Sequence, residues 1–211
     1  MKNDERRLTE AEERRKRRFE EKCDEMYREG YEKHNLFFSI IGANIYGPLL
    51  ALPLNLLFLY IYYVINGCSY VNTLVIHPLL FTLFLLIAIV LHELIHGITF
   101  GIFASEGRKA IEFGVIWKAL TPYCTCSSTL KKWQYVIGAL MPTILLGFLP
   151  GMVAAATANL SLLIFSQILI LAGGGDFLVV VRLLFHRPKM ASVLYLDHPY
   201  ECGLVAFVKQ K

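Results

Sequence analysis

The sequence predicts an all-α polytopic membrane protein of about four transmembrane helices, with a short membrane-surface β-strand region between the second and third. Three observations predict it. Of 211 residues, 55% are hydrophobic and only 18% charged, against about 25% charged in an ordinary soluble domain. The charge is also segregated, since residues 1–33 hold 22 of the 38 Asp, Glu, Lys and Arg side chains. Behind that arm stand four long apolar runs parted by polar turns or by one longer polar loop. A solvated arm leading into a bilayer-embedded domain accounts for all three.

The arm comes first. Residues 4–33 are rich in helix formers and in opposite charges one turn apart, such as Glu10 and Arg14, and carry almost no apolar stripe. A solvated helix or partly disordered arm is expected there. Its 11 basic and 11 acidic residues balance locally. With no basic face interleaved with aromatics, nucleic acid is excluded as a partner. A cleavable signal peptide is not expected, because a long polar segment precedes the first apolar run.

The first run, about Leu36 to Ile65, has no Asp, Glu, Lys or Arg and contains Pro48 and Pro53. It is long enough for a hydrocarbon core of about 30 Å, and membrane helices tolerate proline bends. A short uncharged turn, 66–72, follows. The second run, about Thr73 to Ala104, contains His92, Glu93 and His96 in an otherwise apolar setting. Residues 105–133 are more polar, and Ala110 to Ile116 alternates loosely, which predicts one or two short strands. The third run, about Gln134 to Ala158, holds Pro142 and Pro150; the fourth, about Leu160 to Phe185, is interrupted by Gly173-Gly174-Gly175-Asp176.

Four spans return both termini to one side. The arm, the 105–133 loop and the tail carry nearly all the Lys and Arg, while the turns at 66–72 and 158–161 carry none. The positive-inside rule therefore puts both termini in the cytoplasm. The chain divides into a charged cytoplasmic arm (1–33), a four-span membrane domain (34–186) and a cytoplasmic tail (187–211). The five cysteines form no disulfide framework, and Cys124-Thr-Cys126 lacks the spacing of common zinc pairs, so reduced, partly buried thiols are expected.

The chemistry sits in the second span. His92-Glu93-Leu94-Ile95-His96 on a helix sets two imidazoles one turn apart on one face, where both can bind one zinc ion. Glu93 can then reach a metal-bound water as general base and pass a proton to the leaving amine. Holding an acid inside a span costs on the order of 2.5–3.5 kcal/mol, so such groups mark function. The structural alternative is that the three side chains only hydrogen-bond to neighbouring helices.

A third ligand is needed, and the candidates are His34, His77, Glu106, Glu112, Asp176, His186, Asp197 and His198. His77 lies about 22 Å along the helix from His92 and is excluded. Asp176 fits by depth. It stands about 14 Å before the end of its span, and the histidines stand about 12–18 Å before the end of theirs. The expected function is zinc-dependent hydrolysis of peptide bonds in a membrane-associated protein or peptide. The alternative is a non-catalytic metal-binding scaffold or helix-binding pseudo-protease. A di-iron membrane hydroxylase would need more clustered histidines than the six present.

Leu91-His-Glu-Leu-Ile-His-Gly97, Ala110-Ile-Glu-Phe-Gly114 and Gly174-Gly-Asp176 resemble the site-2 protease group of intramembrane zinc metalloproteases. More closely, they resemble a small bacterial family of zincin-like membrane proteins of unknown substrate, over roughly residues 75–205. That resemblance implies His92, His96 and Asp176 as zinc ligands, Glu93 as catalytic acid/base, and a bacterial cytoplasmic membrane as location. It also implies that segment 110–126 can pair with an extended substrate. Site-2 proteases usually carry Asn-Pro ahead of the ligand aspartate, where this chain has Gly173-Gly-Gly175. Asp197-His-Pro199 is similar to a motif of the smaller family and receives no role at this point.

Overall fold

The computed structural model describes residues 9–67, 77–116, 121–188 and 191–210. Most of the expected 66–72 turn, the start of the second span (73–76) and Lys118 lie outside the described residues. Helix α1 (Glu10–Arg28) opens at Thr9, whose hydroxyl accepts the Glu12 N–H while the Glu12 carboxylate accepts the Thr9 N–H. That reciprocal pair satisfies two of the donors a helix start leaves free. Strand β1 (Glu32–Phe37) then leads to α2 (Ile40–Asn66), capped by Ser39 and carrying Pro48 and Pro53 inside it. Helix α3 (Pro78–Phe103) starts with its proline in the first turn and the His77 ring accepting the Leu79 N–H.

A 3₁₀ turn (Gly107–Ala110) and the antiparallel strands β2 (Ile111–Ile116) and β3 (Thr121–Cys126) follow. Helix α4 (Lys132–Pro142) passes through a π-helical stretch (Thr143–Phe148) into α5 (Leu149–Thr157). Pro142, which has no N–H to donate, stands where the winding changes. Helices α6 (Leu160–Ala172) and α7 (Gly174–Phe185) meet at a 46° bend. Strands β4 (Ala191–Asp197) and β5 (Gly203–Gln210) end the chain.

Three helical segments are long and apolar enough to cross a membrane: α2, α3 and the run Lys132–Thr157. The bent pair α6–α7 makes a fourth if it counts as one span. Large apolar side chains face outward along them, among them Leu49, Leu56, Leu86, Val90 and Ile102. Apolar helices therefore stand where the four runs were expected, with boundaries shifted by a few residues and the fourth broken by the bend.

Close backbone approach brings α2 against α7. A methyl group placed on Gly47 would stand 2.7 Å from the Gly174 carbonyl carbon, and one on Gly174 would likewise run into the Gly47 backbone. Small residues let helices touch in this way, and the contact fixes α7 beside the bend.

The all-α expectation needs a correction. The tail and the end of the arm build a three-stranded antiparallel sheet, in the order β1-β5-β4. Leu204 and Ala206 of β5 face a core shared with Tyr195 of β4, Leu130 just before α4, Tyr135 of α4 and Leu183 of α7. Phe207 faces the other way, onto Cys23 and Met26 of α1 with Leu196 of β4. Both faces of β5 are thus covered, so Leu204 to Val208 reads as a continuous apolar run without the alternation that marks a half-exposed strand. The arm helix is packed on this sheet, and β1 straddles residue 33. The β2–β3 pair does match the strand region expected between the second and third spans.

Gly47→Leu should force α2 away from α7 and cost about 1–3 kcal/mol as an overpacking change. The measure is the melting temperature of detergent-purified protein. Gly175→Ala, whose methyl meets nothing within 4 Å, should leave that temperature unchanged.

Candidate metal centre

Helix α3 carries His92 and His96 one turn apart, so their rings share a face and lie 4.8 Å apart centre to centre. Asp176 reaches them from the first turn of α7. Its Oδ2 is 3.1 Å from His92 Nε2 and its Oδ1 is 3.4 Å from His96 Nε2; the two Nε2 atoms are 3.1 Å apart. The three groups form a possible metal cluster, with all ligand atoms within 4.8 Å of one another. Donors about 2.0–2.1 Å from one tetrahedral zinc stand about 3.3 Å apart, close to the separations found.

The orientation of His96 supports the same conclusion. Its Nδ1–H donates to the Gly138 carbonyl at 2.9 Å. A carbonyl only accepts, so Nδ1 holds the proton and Nε2 of the neutral ring presents a lone pair toward His92 and Asp176. The ring also stacks on Phe100, at 5.8 Å and 10°. Gly138 is small because Phe100 fills the space a side chain there would need. The residues present fit a zinc ion: two imidazoles and a carboxylate, with the other nitrogen of one imidazole already bonded.

Glu93 lies beside the pair, partly buried, with its carboxylate close to the Cys124 backbone in β3. Cys126, two residues on, donates its N–H to Asp197 Oδ2 at 2.8 Å. Residues two apart turn their N–H groups to the same edge of a strand, so the β3 edge away from β2 is met by two carboxylates. The other oxygen of Asp197 accepts the Tyr135 hydroxyl hydrogen. Burial pushes the Asp197 carboxyl upward, against these two hydrogen bonds, which favour its charged form.

The remaining ligand candidates stand elsewhere. His77 caps the far end of α3. Glu112 faces Arg18 at 3.1 Å and Arg15 at 3.9 Å. Nδ1 of His186 is 3.0 Å from the Tyr195 hydroxyl, and the His34 and His186 rings are 6.3 Å apart. His198 lies between the Phe19 and Phe37 rings, 4.8 Å from each. Glu106 precedes the 3₁₀ turn. None of them belongs to the cluster around His92.

A family model described as "putative zincin peptidase" matches residues 85–191, just over half of the 211-residue chain. The chain belongs to that family. The matched stretch contains His92, Glu93, His96 and Asp176, and the family's description points to metallopeptidase chemistry with zinc as the implied metal. Neither the curated proteins nor the solved structures gave a match.

Reading the residues alone missed the Gly138 carbonyl, the Phe100 stack and Tyr135. A backbone acceptor leaves no mark in a sequence, and Tyr135 reads as one more aromatic at a span end. Asp197-His-Pro199 was the available signal.

Cys126 is buried, and burial together with nearby Asp197 pushes its thiol up to about 12; Cys124 is pushed higher still by burial, Asp197 and Glu93. Among the described residues all four cysteines are free. At pH 8 on the order of one Cys126 thiol in ten thousand is then the reactive thiolate. Maleimide labelling of Cys126 in folded protein should be very slow at that pH. It should rise about tenfold per pH unit up to pH 10, read by mass spectrometry of the peptide.

Proposed function

We propose that this chain is a membrane-embedded zinc metallopeptidase, similar in kind to site-2 proteases, that cleaves a membrane-associated protein or peptide. One observation carries the reading: the convergence of His92, His96 and Asp176, from two apolar helices, beside Glu93. Family membership supports the peptidase chemistry.

His92 Nε2, His96 Nε2 and one Asp176 oxygen would hold the ion. Zinc held there supplies a Lewis acid for the scissile carbonyl and makes water nucleophilic near neutral pH. Glu93, adjacent to His92 in sequence and facing β3, is the group that takes the proton from the attacking water and gives it to the leaving nitrogen. That exchange balances. Water supplies a hydroxyl to the carbonyl carbon, the C–N bond breaks, and its proton leaves with the amine through the Glu93 carboxylate. The Cys124 backbone in β3 stands beside that carboxylate.

A helical substrate hides its carbonyls, so it must be extended where it is cut. The β3 edge runs past Glu93, and a segment lying along it would carry its backbone past the site. The outward apolar faces of α2 and α3 suit a bilayer, and four crossings keep the arm and the tail on the cytoplasmic side.

Purified wild-type protein should hold about one zinc per chain by elemental mass spectrometry, and His96→Ala and Asp176→Ala should lose most of it. Glu93→Gln should keep the metal and lower peptide hydrolysis by on the order of 10²-fold or more, as expected for removal of a general base. Zinc retained by both ligand variants would sink the assignment. Unchanged hydrolysis in Glu93→Gln would remove Glu93 from the mechanism.

A further inference from the structure

We infer that Asp197, from the last β-hairpin, is the positioning residue that holds His96 and Glu93 in register, acting through Tyr135 and Cys126. The inference rests on the metallopeptidase reading for its consequence and on separate contacts for its geometry.

Asp197 touches neither histidine and makes two hydrogen bonds in two directions. One oxygen accepts the Tyr135 hydroxyl hydrogen, and the other accepts the Cys126 N–H at 2.8 Å. Tyr135 and Gly138 are one turn apart on α4, and the Gly138 carbonyl receives the His96 Nδ1–H at 2.9 Å. The Tyr135 ring also lies 5.2 Å from Phe100, the ring stacked on His96. Holding Tyr135 therefore fixes both the acceptor and the stacking partner of one imidazole. On the other side, Cys126 is two residues from Cys124, whose backbone stands beside Glu93. A single carboxylate thus sets the positions of α4 and β3, and each of these contacts a different reacting or ligating side chain.

Asp197 is itself held from behind. The His198 ring is wedged between Phe19 and Phe37, and its Nδ1 accepts the N–H groups of Tyr200 and Glu201 at 3.3 and 2.9 Å. The Asp-His pair therefore joins the arm helix and the sheet on one side to the metal-binding helices on the other. This assigns the motif a part that its distance in sequence from His92 conceals. Bonds that orient a ligand's second nitrogen typically matter about 10- to 100-fold in metal affinity or activity.

The test uses the full chain in detergent, labelled with ¹⁵N-histidine, as wild type, Asp197→Ala, Tyr135→Phe and the double variant. Tyr200→Phe serves as a control in the same hairpin. Two readouts are taken: zinc affinity by competition with a chelator, and the His96 Nδ1–H resonance in metal-free protein. Both single variants should shift or broaden that resonance and weaken zinc binding about 10-fold or more. The double variant should be no worse than Asp197→Ala, because Tyr135 and Asp197 act as one link. Tyr200→Phe should change neither readout.

An unmoved His96 resonance with unchanged zinc affinity in folded Tyr135→Phe would overturn the inference. So would hydrolysis that rises in Asp197→Ala, since Asp197 would then be an obstruction on the β3 edge. If Asp197→Ala fails to fold, Tyr135→Phe, which removes one hydroxyl, decides. A wild type that binds no zinc would defeat the peptidase reading, while the metal-free resonance would still judge the link from Asp197 to His96.

Discussion

A carboxylate in an apolar helix must find partners, and the packing of this protein depends on how Asp176 finds them. Its two oxygens meet His92 and His96 of α3, which ties the last apolar helix to the second. The partners are imidazoles, so the pairing that makes the acid tolerable also makes a set of groups that could hold a metal ion. The helix break contributes. Because the chain bends at Gly173, α7 has its own N-terminus inside the apolar region, and Asp176 sits in its first turn. The positive end of the helix dipole falls beside the carboxylate. An unbroken helix at this level would place peptide carbonyls and N–H groups in register and supply no such field.

Close approach does the rest. Gly47 and Gly174 let α2 and α7 meet backbone to backbone, which holds the bend from behind. Gly138 leaves room for Phe100, and its carbonyl points at His96. In each case the missing side chain lets a neighbour occupy a defined place. A larger residue would move a ligand by a fraction of an ångström, enough to matter for a site that holds three donors about a metal's diameter apart.

The sheet beneath the apolar helices integrates the two ends of the chain. β1 from the arm and β4–β5 from the tail pair with each other, α1 covers one face, and the ends of α4 and α7 cover the other. Arg15 and Arg18 of α1 also reach Glu112 of β2, and Arg15 lies over the Tyr123 ring of β3. Ion pairs that remain partly solvated, as these do, contribute little stability by themselves. Their consequence is geometric: the arm rests on the strands that flank Glu93. The charged segment that composition marks as a solvated arm is a structural layer, solvated only on its outer side.

The sequence by itself determined the apolar spans, the break at Gly173-Gly-Gly175, the strands between the second and third spans, and the His92, Glu93, His96 and Asp176 set. Each was legible because it is local or is an anomaly against a uniform background: charge in an apolar run, glycines in a helix, a four-residue helical spacing. The tertiary structure alone decided what no local pattern encodes. β5 became a central strand because both its faces are covered, and burial on both faces erases the alternation by which strands are read. Tyr135, the Gly138 carbonyl and Asp197 came to the candidate metal centre across long stretches of chain. A hydrogen bond between distant segments depends on where backbones pass, and spacing along the sequence carries no record of that.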